Sequence, residues 1–259
     1  MKDIKIIFFD VDGTLIDMKQ EQMSDQIIYT LTQLKNKGIK ICVATGRSQY
    51  LLKDLPIKFD AYLTYNGSYC FNDEEVIFSN PLHKQDIDAI IQNANLLQKP
   101  LSLATKDKYA ANGSDSYLQQ YFNFGGIDVQ ITNDFNKIVE QDEIFQIMIS
   151  ATKQEYDVIL QNTTASVITA WWDYAVDIIP KNSGKGNAVK KILDYYQIPQ
   201  EQSMAFGDGN NDIAMLQKVG IGVAMQNASK ELKSIADDIC DSVSNDGIYT
   251  YCKQHGLID

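Results

Sequence analysis

Four short stretches of this sequence carry residue types that could work on a phosphate ester. Asp10-Val11-Asp12-Gly13-Thr14 sets two carboxylates one residue apart at the end of an apolar run, and Thr45-Gly46-Arg47 offers a hydroxyl, a backbone N–H beside no side chain and a guanidinium. Gly184-Lys185-Gly186 supplies an ammonium group, and GDGNND at Gly207–Asp212 adds two further carboxylates. Three or four carboxylates brought together repel one another and raise one another's pKa values unless a cation intervenes. Hard oxygen ligands, few of them from the protein, suit Mg²⁺, which keeps several waters and takes a substrate phosphate. A carboxylate on such a metal stays ionised and can attack phosphorus in line, giving an acyl phosphate. The charge that develops on the phosphoryl oxygens then needs fixed donors, a hydroxyl, backbone N–H groups and a cation. Thr45, Gly46 and Lys185 are of those three types. A second carboxylate must protonate the leaving oxygen and later take a proton from water, and Asp12 is the nearest candidate.

These stretches need a scaffold that brings them together. Ile6–Phe9 is a continuous β-branched and aromatic run, the pattern of a parallel strand buried on both faces. A helix over Ser24–Lys37, with Ser24 as N-cap and Gly38 as its stop, and a strand over Ile39–Ala44 complete a βαβ unit. A third strand, Ala61–Thr64, leads to Asn66-Gly67, and a hairpin is expected around Asn72-Asp73. From Pro81 the style changes. A helix over Gln85–Gln98 precedes strands Leu101–Thr105 and Tyr109–Asn112, a helix near Ser116–Phe122, a strand Glu143–Ala151 and a helix Gln154–Gln161. Ser166–Trp172 and Tyr174–Ile179 read as a hairpin turning at Asp173, and Asn123–Gln141 reads as a polar stretch. The alternating pattern resumes with helices over Asn187–Tyr196, Asp212–Lys218, Lys230–Ala236 and Ile248–Gln254, and strands over Ser203–Phe206 and Ile221–Ala224. The expectation is an α/β protein with a Rossmann-like parallel-sheet core built from 1–81 and 182–259, and an inserted α/β module at 82–181. Ligands of such sheets bind beyond the carboxyl ends of the strands, where Asp10 and Asp12, Thr45-Gly46-Arg47 and Gly207–Asp212 lie, with Lys185 at the start of a helix.

The order and content of the four stretches resemble the haloacid dehalogenase superfamily of phosphohydrolases, in particular its Cof-type, subclass IIB branch. DVDGT at Asp10–Thr14 matches the first motif of that family, ATGR at Ala44–Arg47 the second, Lys185 the third and GDGNND the fourth. GVAMQNAS and Asn245-Asp246-Gly247 extend the similarity to essentially the whole chain. The resemblance implies Asp10 as nucleophile and Asp12 as acid/base, with Thr45, Gly46, Lys185 and Asn211 on the phosphate. It implies Mg²⁺ held by Asp10, Asp208 and the backbone carbonyl of Asp12, with Asp212 supporting the metal shell. It also implies that the inserted module is a C2-type cap that closes over the site and selects the substrate.

Other roles stay open on sequence grounds. Arg47 fits a substrate contact or a surface ion pair, Asp212 fits a metal-supporting carboxylate or an N-cap, and Asn66 fits a substrate contact from its strand end. Trp171 and Trp172 fit core packing or substrate stacking. His83 and His255 are isolated and read as structural or exposed. Gly184-Lys185-Gly186 lacks the preceding glycine of a phosphate-binding loop, and the aspartates lack the spacing of a calcium loop.

Across the 259 residues the formal net charge is −11, which argues against general nucleic-acid or anionic-membrane binding. Cys42, Cys70, Cys240 and Cys252 are scattered with no zinc spacing, which fits a reducing cytoplasm. No run approaches a membrane span or a signal sequence. The reading is a cytoplasmic Mg²⁺-dependent phosphatase acting on a small phosphorylated metabolite. A phosphomutase of the same family and a non-catalytic binding or regulatory protein are the alternatives, and nothing in the sequence speaks to oligomeric state.

Overall fold

The computed structural model describes residues 3–20, 22–53 and 55–259. In chain order, β1 (Ile6–Phe9) leads through α1 (Asp25–Asn36) to β2 (Lys40–Ala44), β3 (Ala61–Thr64) and a hairpin of β4 (Tyr69–Phe71) and β5 (Val76–Ser79). Next come α2 (Lys84–Leu96), β6 (Leu101–Thr105), β7 (Tyr109–Ala111), α3 (Ser116–Phe124), α4 (Phe135–Gln141), β8 (Ile144–Ser150), α5 (Tyr156–Ile159), β9 (Ser166–Thr169) and β10 (Ala175–Pro180). The chain ends with α6 (Lys185–Tyr196), β11 (Ser203–Gly207), α7 (Ile213–Leu216), β12 (Ile221–Met225), α8 (Lys230–Ile235), β13 (Asp238–Cys240) and α9 (Gly247–Gln254).

These elements make two compact units. One comprises Met1–Gly46, Asp54–Phe78 and Lys185–Asp259, the other Arg47–Lys53 and Ser79–Gly184. The first unit holds a sheet ordered β13-β12-β11-β1-β2-β3-β4-β5. Its strands run parallel from β13 to β3, and β4 turns antiparallel to β3. β1 lies in the middle because all four of its side chains are buried. Complete burial of each such side chain contributes roughly 1.5–3 kcal/mol, so no edge position suits this segment. Before α1, Ser24 Oγ accepts the Ile27 N–H at 3.1 Å, so the helix starts where its cap predicts. Asn72 sets the β4–β5 turn, its Oδ1 accepting the N–H groups of Glu74 and Glu75 at 2.9 and 2.8 Å.

The second unit is a sheet ordered β7-β6-β8-β10-β9 with antiparallel neighbours. Leu101, Leu103, Ile147, Ile149, Val176 and Ile178 form its core with Ile87, Ile90 and Ala94 of α2. The segment Arg47–Lys53 belongs to it through the Ser48 N–H, which donates to Tyr109 Oη at 3.1 Å.

Three sequence expectations need correction. The polar stretch before Gln141 contains α4, whose Phe135, Ile138 and Val139 are buried at helical spacing. β13 was absent from the expected pattern, because a three-residue edge strand that exposes Asp238 and Ile239 carries almost no periodic signal. The strands of the last hairpin in the second unit stop at Thr169 and resume at Ala175. Trp171 and Trp172 lie in the connection, in ring contact with Tyr121, Phe124 and Tyr174.

Candidate active site

The site grows from the register of three strands. Phe9 pairs with Val43 of β2 on one side and Phe206 of β11 on the other. The residues that follow, Asp10, Thr45 and Asp208, therefore leave the sheet at the same edge. The ladder runs one bond further, Asp10 N–H to the Phe206 carbonyl at 3.0 Å, which fixes the Asp10 backbone before its side chain turns to the site. Beyond Asp10 the chain coils into a single tight turn, with the N–H groups of Leu15 and Ile16 both aimed at the Val11 carbonyl at 2.9 Å.

Lys185 is the hub of the charged cluster. Its Nζ donates to Asp10 Oδ1 and to Asp212 Oδ1, each at 2.6 Å, with the lysine side chain fully buried. It stands at the first position of α6, where an N-terminal residue can turn back toward the sheet edge. Asp212 Oδ2 accepts the N–H groups of Asp208 and Gly209, both at 3.1 Å. That fold-back tightens the chain into a 3₁₀ turn over Asn210–Asp212, so the helix expected from Asp212 begins only at Ile213. Asp212 is thus no simple N-cap: its side chain caps nothing in α7.

Asp10, Asp208 and Asp212 each place a carboxylate oxygen within 4.8 Å of the other two. The Asp10 carboxyl is held up at about 7, chiefly by burial, with Asp212 and Asp12 also raising it and Lys185 pulling against them. Burial, then Asp10 and Asp212, hold Asp208 well above the usual carboxylate range. Burial alone would lower the lysine, yet its two carboxylate partners hold it above its ordinary value. With all three carboxylates ionised against one ammonium, two negative charges would stand unbalanced in a buried place. A hard divalent cation with oxygen ligands fits that donor set and that imbalance. Thr14 Oγ1 donates to Asp208 Oδ1 at 3.1 Å and holds this carboxylate in place. Thr14 was not among the expected site residues, although its place in DVDGT was a usable signal. Gly13 is required where it stands: its φ is +84°, and a Cβ would meet an Asp208 carboxylate oxygen at 2.3 Å.

The remaining expected residues fall into three groups. Thr45 is buried at the end of β2, with its N–H given to the Leu63 carbonyl at 2.8 Å. Asn211 Nδ2 donates to Asn66 Oδ1 at 3.1 Å, and a Cβ on Gly46 would come within 3.2 Å of Asn66 Nδ2. Thr45, Gly46, Asn66 and Asn211 therefore form one polar corner. Asn66 is buried and left-handed (φ +52°), as is Tyr65 before it (φ +51°), a backbone cost of about 1 kcal/mol or more for each. The strained pair turns the Asn66 amide toward Asn211. Asp12 is half-buried and outside the three-carboxylate group, its backbone bridged to Ile16. Arg47 is half-buried and opens the segment that packs with the second unit. No helix among the described residues is long and apolar enough to cross a membrane.

Comparison with known proteins gives one consistent result. The sequence pattern of the haloacid dehalogenase-like hydrolases matches residues 7–251. The chain is 29% identical to the Bacillus subtilis protein YkrA over 258 residues, 99% of both chains. It is 26% identical to the 5-amino-6-(5-phospho-D-ribitylamino)uracil phosphatase YitU of Bacillus subtilis, over 96% of this chain and 97% of that one. Among solved structures it is similar to the subclass IIB sugar phosphatase BT4131, with a TM-score of 0.87 at 28% identity over 98% of this chain and 100% of that one.

Proposed function

The chain belongs to the haloacid dehalogenase-like hydrolases and is a phosphatase of that family, and on this premise we propose that it hydrolyses a small phosphorylated metabolite, a sugar phosphate being the favoured class, through an aspartyl-phosphate on Asp10. The observation that carries this reading is the buried Lys185 bridging Asp10 and Asp212, with Asp208 alongside. An ammonium held between two carboxylates pulls the Asp10 carboxyl toward its anion and leaves a cation beside the place where phosphoryl charge develops.

Asp10, Asp208 and the Asp12 carbonyl would hold Mg²⁺, with Asp212 behind them. Bound there, Mg²⁺ supplies charge neutralisation between the carboxylates and the phosphate. The Asp10 carboxylate attacks phosphorus, the ester oxygen leaves, and Asp12 gives that oxygen a proton. Asp12 then takes a proton from a water that attacks the acyl phosphate, releasing phosphate and restoring Asp10. The Thr45 hydroxyl, the Gly46 N–H and the Asn211 amide bind the phosphoryl oxygens, and Asn66 orients Asn211. Arg47 stands next in the chain to this corner and would meet the substrate. Sugar phosphates are favoured because BT4131 is a sugar phosphatase and YitU acts on a phosphorylated ribityl compound.

The test is phosphate release from a panel of phosphorylated metabolites with Mg²⁺, for wild type and Asp10→Asn. Metal-dependent turnover that Asp10→Asn abolishes is expected, since a neutral amide cannot form the acyl phosphate. Equal release by both proteins would sink the nucleophile assignment. Isomerised product with little free phosphate would replace hydrolysis by a mutase reaction.

A further inference from the structure

The segment after β12, Gln226-Asn227-Ala228-Ser229, has no place in the reaction as drawn, yet it touches both halves of the carboxylate cluster. Asn227 Nδ2 donates to the Gly13 carbonyl at 2.8 Å, and the same nitrogen lies 3.4 Å from Asp208 Oδ2. Its Oδ1 accepts the Val243 N–H at 3.1 Å. Two residues on, the Ser229 N–H donates to the Asp208 carbonyl at 2.9 Å and its Oγ to Asn210 Oδ1 at 2.5 Å. One planar amide thus links the turn after β1, the loop after β11 and the connection after β13.

We propose that Asn227 is a positioning residue of the active site, which fixes the distance between the turn carrying Asp10 and Asp12 and the carboxylate of Asp208. The inference rests on the phosphatase reading above. An asparagine amide has two N–H donors on one nitrogen and an acceptor on the other side, all in one plane. At Asn227 the donor side faces two oxygens that belong to different loops and would otherwise drift apart or collide. The Gly13 carbonyl and the Asp208 carboxylate both carry negative charge toward the same space, and the amide N–H groups fill it. The acceptor side ties the amide to Val243, so the bridge is held from behind. Gly13 has no room to compensate, since even a Cβ added to it would meet Asp208 Oδ2 at 2.3 Å. A shift of either loop changes the spacing of Asp10 and Asp208 directly. Partners that orient metal-ligating carboxylates in this way are worth about 10- to 100-fold in metal affinity or activity when removed.

Two variants separate this role from simple loop anchoring. Asn227→Ala removes the whole bridge, whereas Asn227→Asp keeps the acceptor for the Val243 N–H, loses the donors and sets a further carboxylate against Asp208 Oδ2. An anchor of the β13 connection survives the second change; a spacer between Gly13 and Asp208 does not. The expected result for Asn227→Ala is Mg²⁺ binding weakened about 10- to 100-fold by titration calorimetry, and a similar fall in kcat with substrate KM changed less. Asn227→Asp is expected to lose kcat at least as severely, with a metal-free melting temperature below that of wild type because a further carboxylate faces Asp208. Gln226→Ala, one residue away and exposed, serves as the unchanged control. Wild-type kcat in Asn227→Asp, or wild-type Mg²⁺ affinity in a folded Asn227→Ala, overturns the proposal. A wild-type protein that releases no phosphate from any ester overturns the phosphatase reading instead, and the calorimetric comparison still decides the role of Asn227.

Discussion

Replacing Lys185 by methionine tests the logic of the site most directly. Methionine keeps length and apolar bulk but removes the one cation that faces both Asp10 and Asp212 at 2.6 Å. Removing one partner of a buried ion pair costs about 3–5 kcal/mol, because the other charge stays behind without compensation. Here two carboxylates are stranded, which places the variant at the upper end of that range. For a chain of this size, each kcal/mol moves the melting temperature by about 2–4 °C, so a fall of roughly 10–20 °C is expected for metal-free protein at pH 8. The deficit depends on pH with a definite sign. Asp10 in the folded protein sits near 7, above its ordinary 3.8, so its contribution to stability is fully present below about pH 4 and is lost as pH rises through the folded value. Without Lys185 that folded value rises further, because the largest force pulling it down is gone. At pH 6 both proteins hold Asp10 protonated and differ little through this group; at pH 8 only the variant carries the added strain. The assay is calorimetric melting of both proteins without metal at pH 6 and pH 8, together with phosphate release. Phosphate release should vanish at both pH values. A melting temperature within 2 °C of wild type at pH 8, or a deficit that shrinks as pH rises, refutes the reasoning.

Two further outcomes follow from geometry elsewhere. Gly13→Ala forces a φ of +84° on an L-residue and drives its Cβ to 2.3 Å from the Asp208 carboxylate; a loss of about 2–4 kcal/mol in stability and on the order of 100-fold in kcat is expected, read by urea unfolding and steady-state kinetics. Near-wild-type values for both would mean that the loops are free to part. In the second unit, Asp86 is buried and accepts the N–H groups of Thr164 and Ala165 at 3.0 and 2.8 Å and the Ser166 hydroxyl at 2.7 Å. Burial alone would raise its carboxyl, but these bonds hold it below the ordinary value, so its contribution is present above about pH 4 and lost as pH falls through the folded value. Asp86→Asn should cost about 1–3 kcal/mol at pH 7 and progressively less in acid, measured by urea midpoints from pH 7 to pH 3; a pH-independent deficit would remove the charge argument.

Much of the first unit was legible because its chemistry and its periodicity coincide. Three of the four motifs follow a strand whose apolar run is unmistakable, and the βαβ rule alone sends those strand ends to one edge. What the sequence withheld is pairwise. Nothing in the spacing of Asn66 and Asn211 says that their amides meet, and nothing in GDGNND says that Asp212 turns back on its own loop rather than capping the next helix. Such contacts depend on strand order and on turns of a few degrees, which leave no periodic trace. The second unit was harder for the opposite reason. Its helix over Phe135–Gln141 carries the right i, i+3, i+4 pattern, but seven residues among polar neighbours give a weak signal.

The separation of Asp10 from Asp12 shows how much one turn decides. In an extended strand two residues at i and i+2 point to the same face, and both carboxylates would enter the cluster. Four carboxylates around one lysine would leave three charges unbalanced instead of two. The chain avoids this at Val11, which is wholly buried and whose carbonyl collects the following N–H groups into a turn. That turn takes Asp12 out of the cluster and leaves it half-buried. Asp10, left in the cluster against Lys185, is the nucleophile of the reaction proposed above. Asp12, released from that cluster, is the acid/base of the reaction proposed above. In the proposed reaction the two roles therefore divide where the backbone turns. A substitution at Val11 that straightens the turn should damage the acid/base step while the pairing of Asp10 with Lys185 persists.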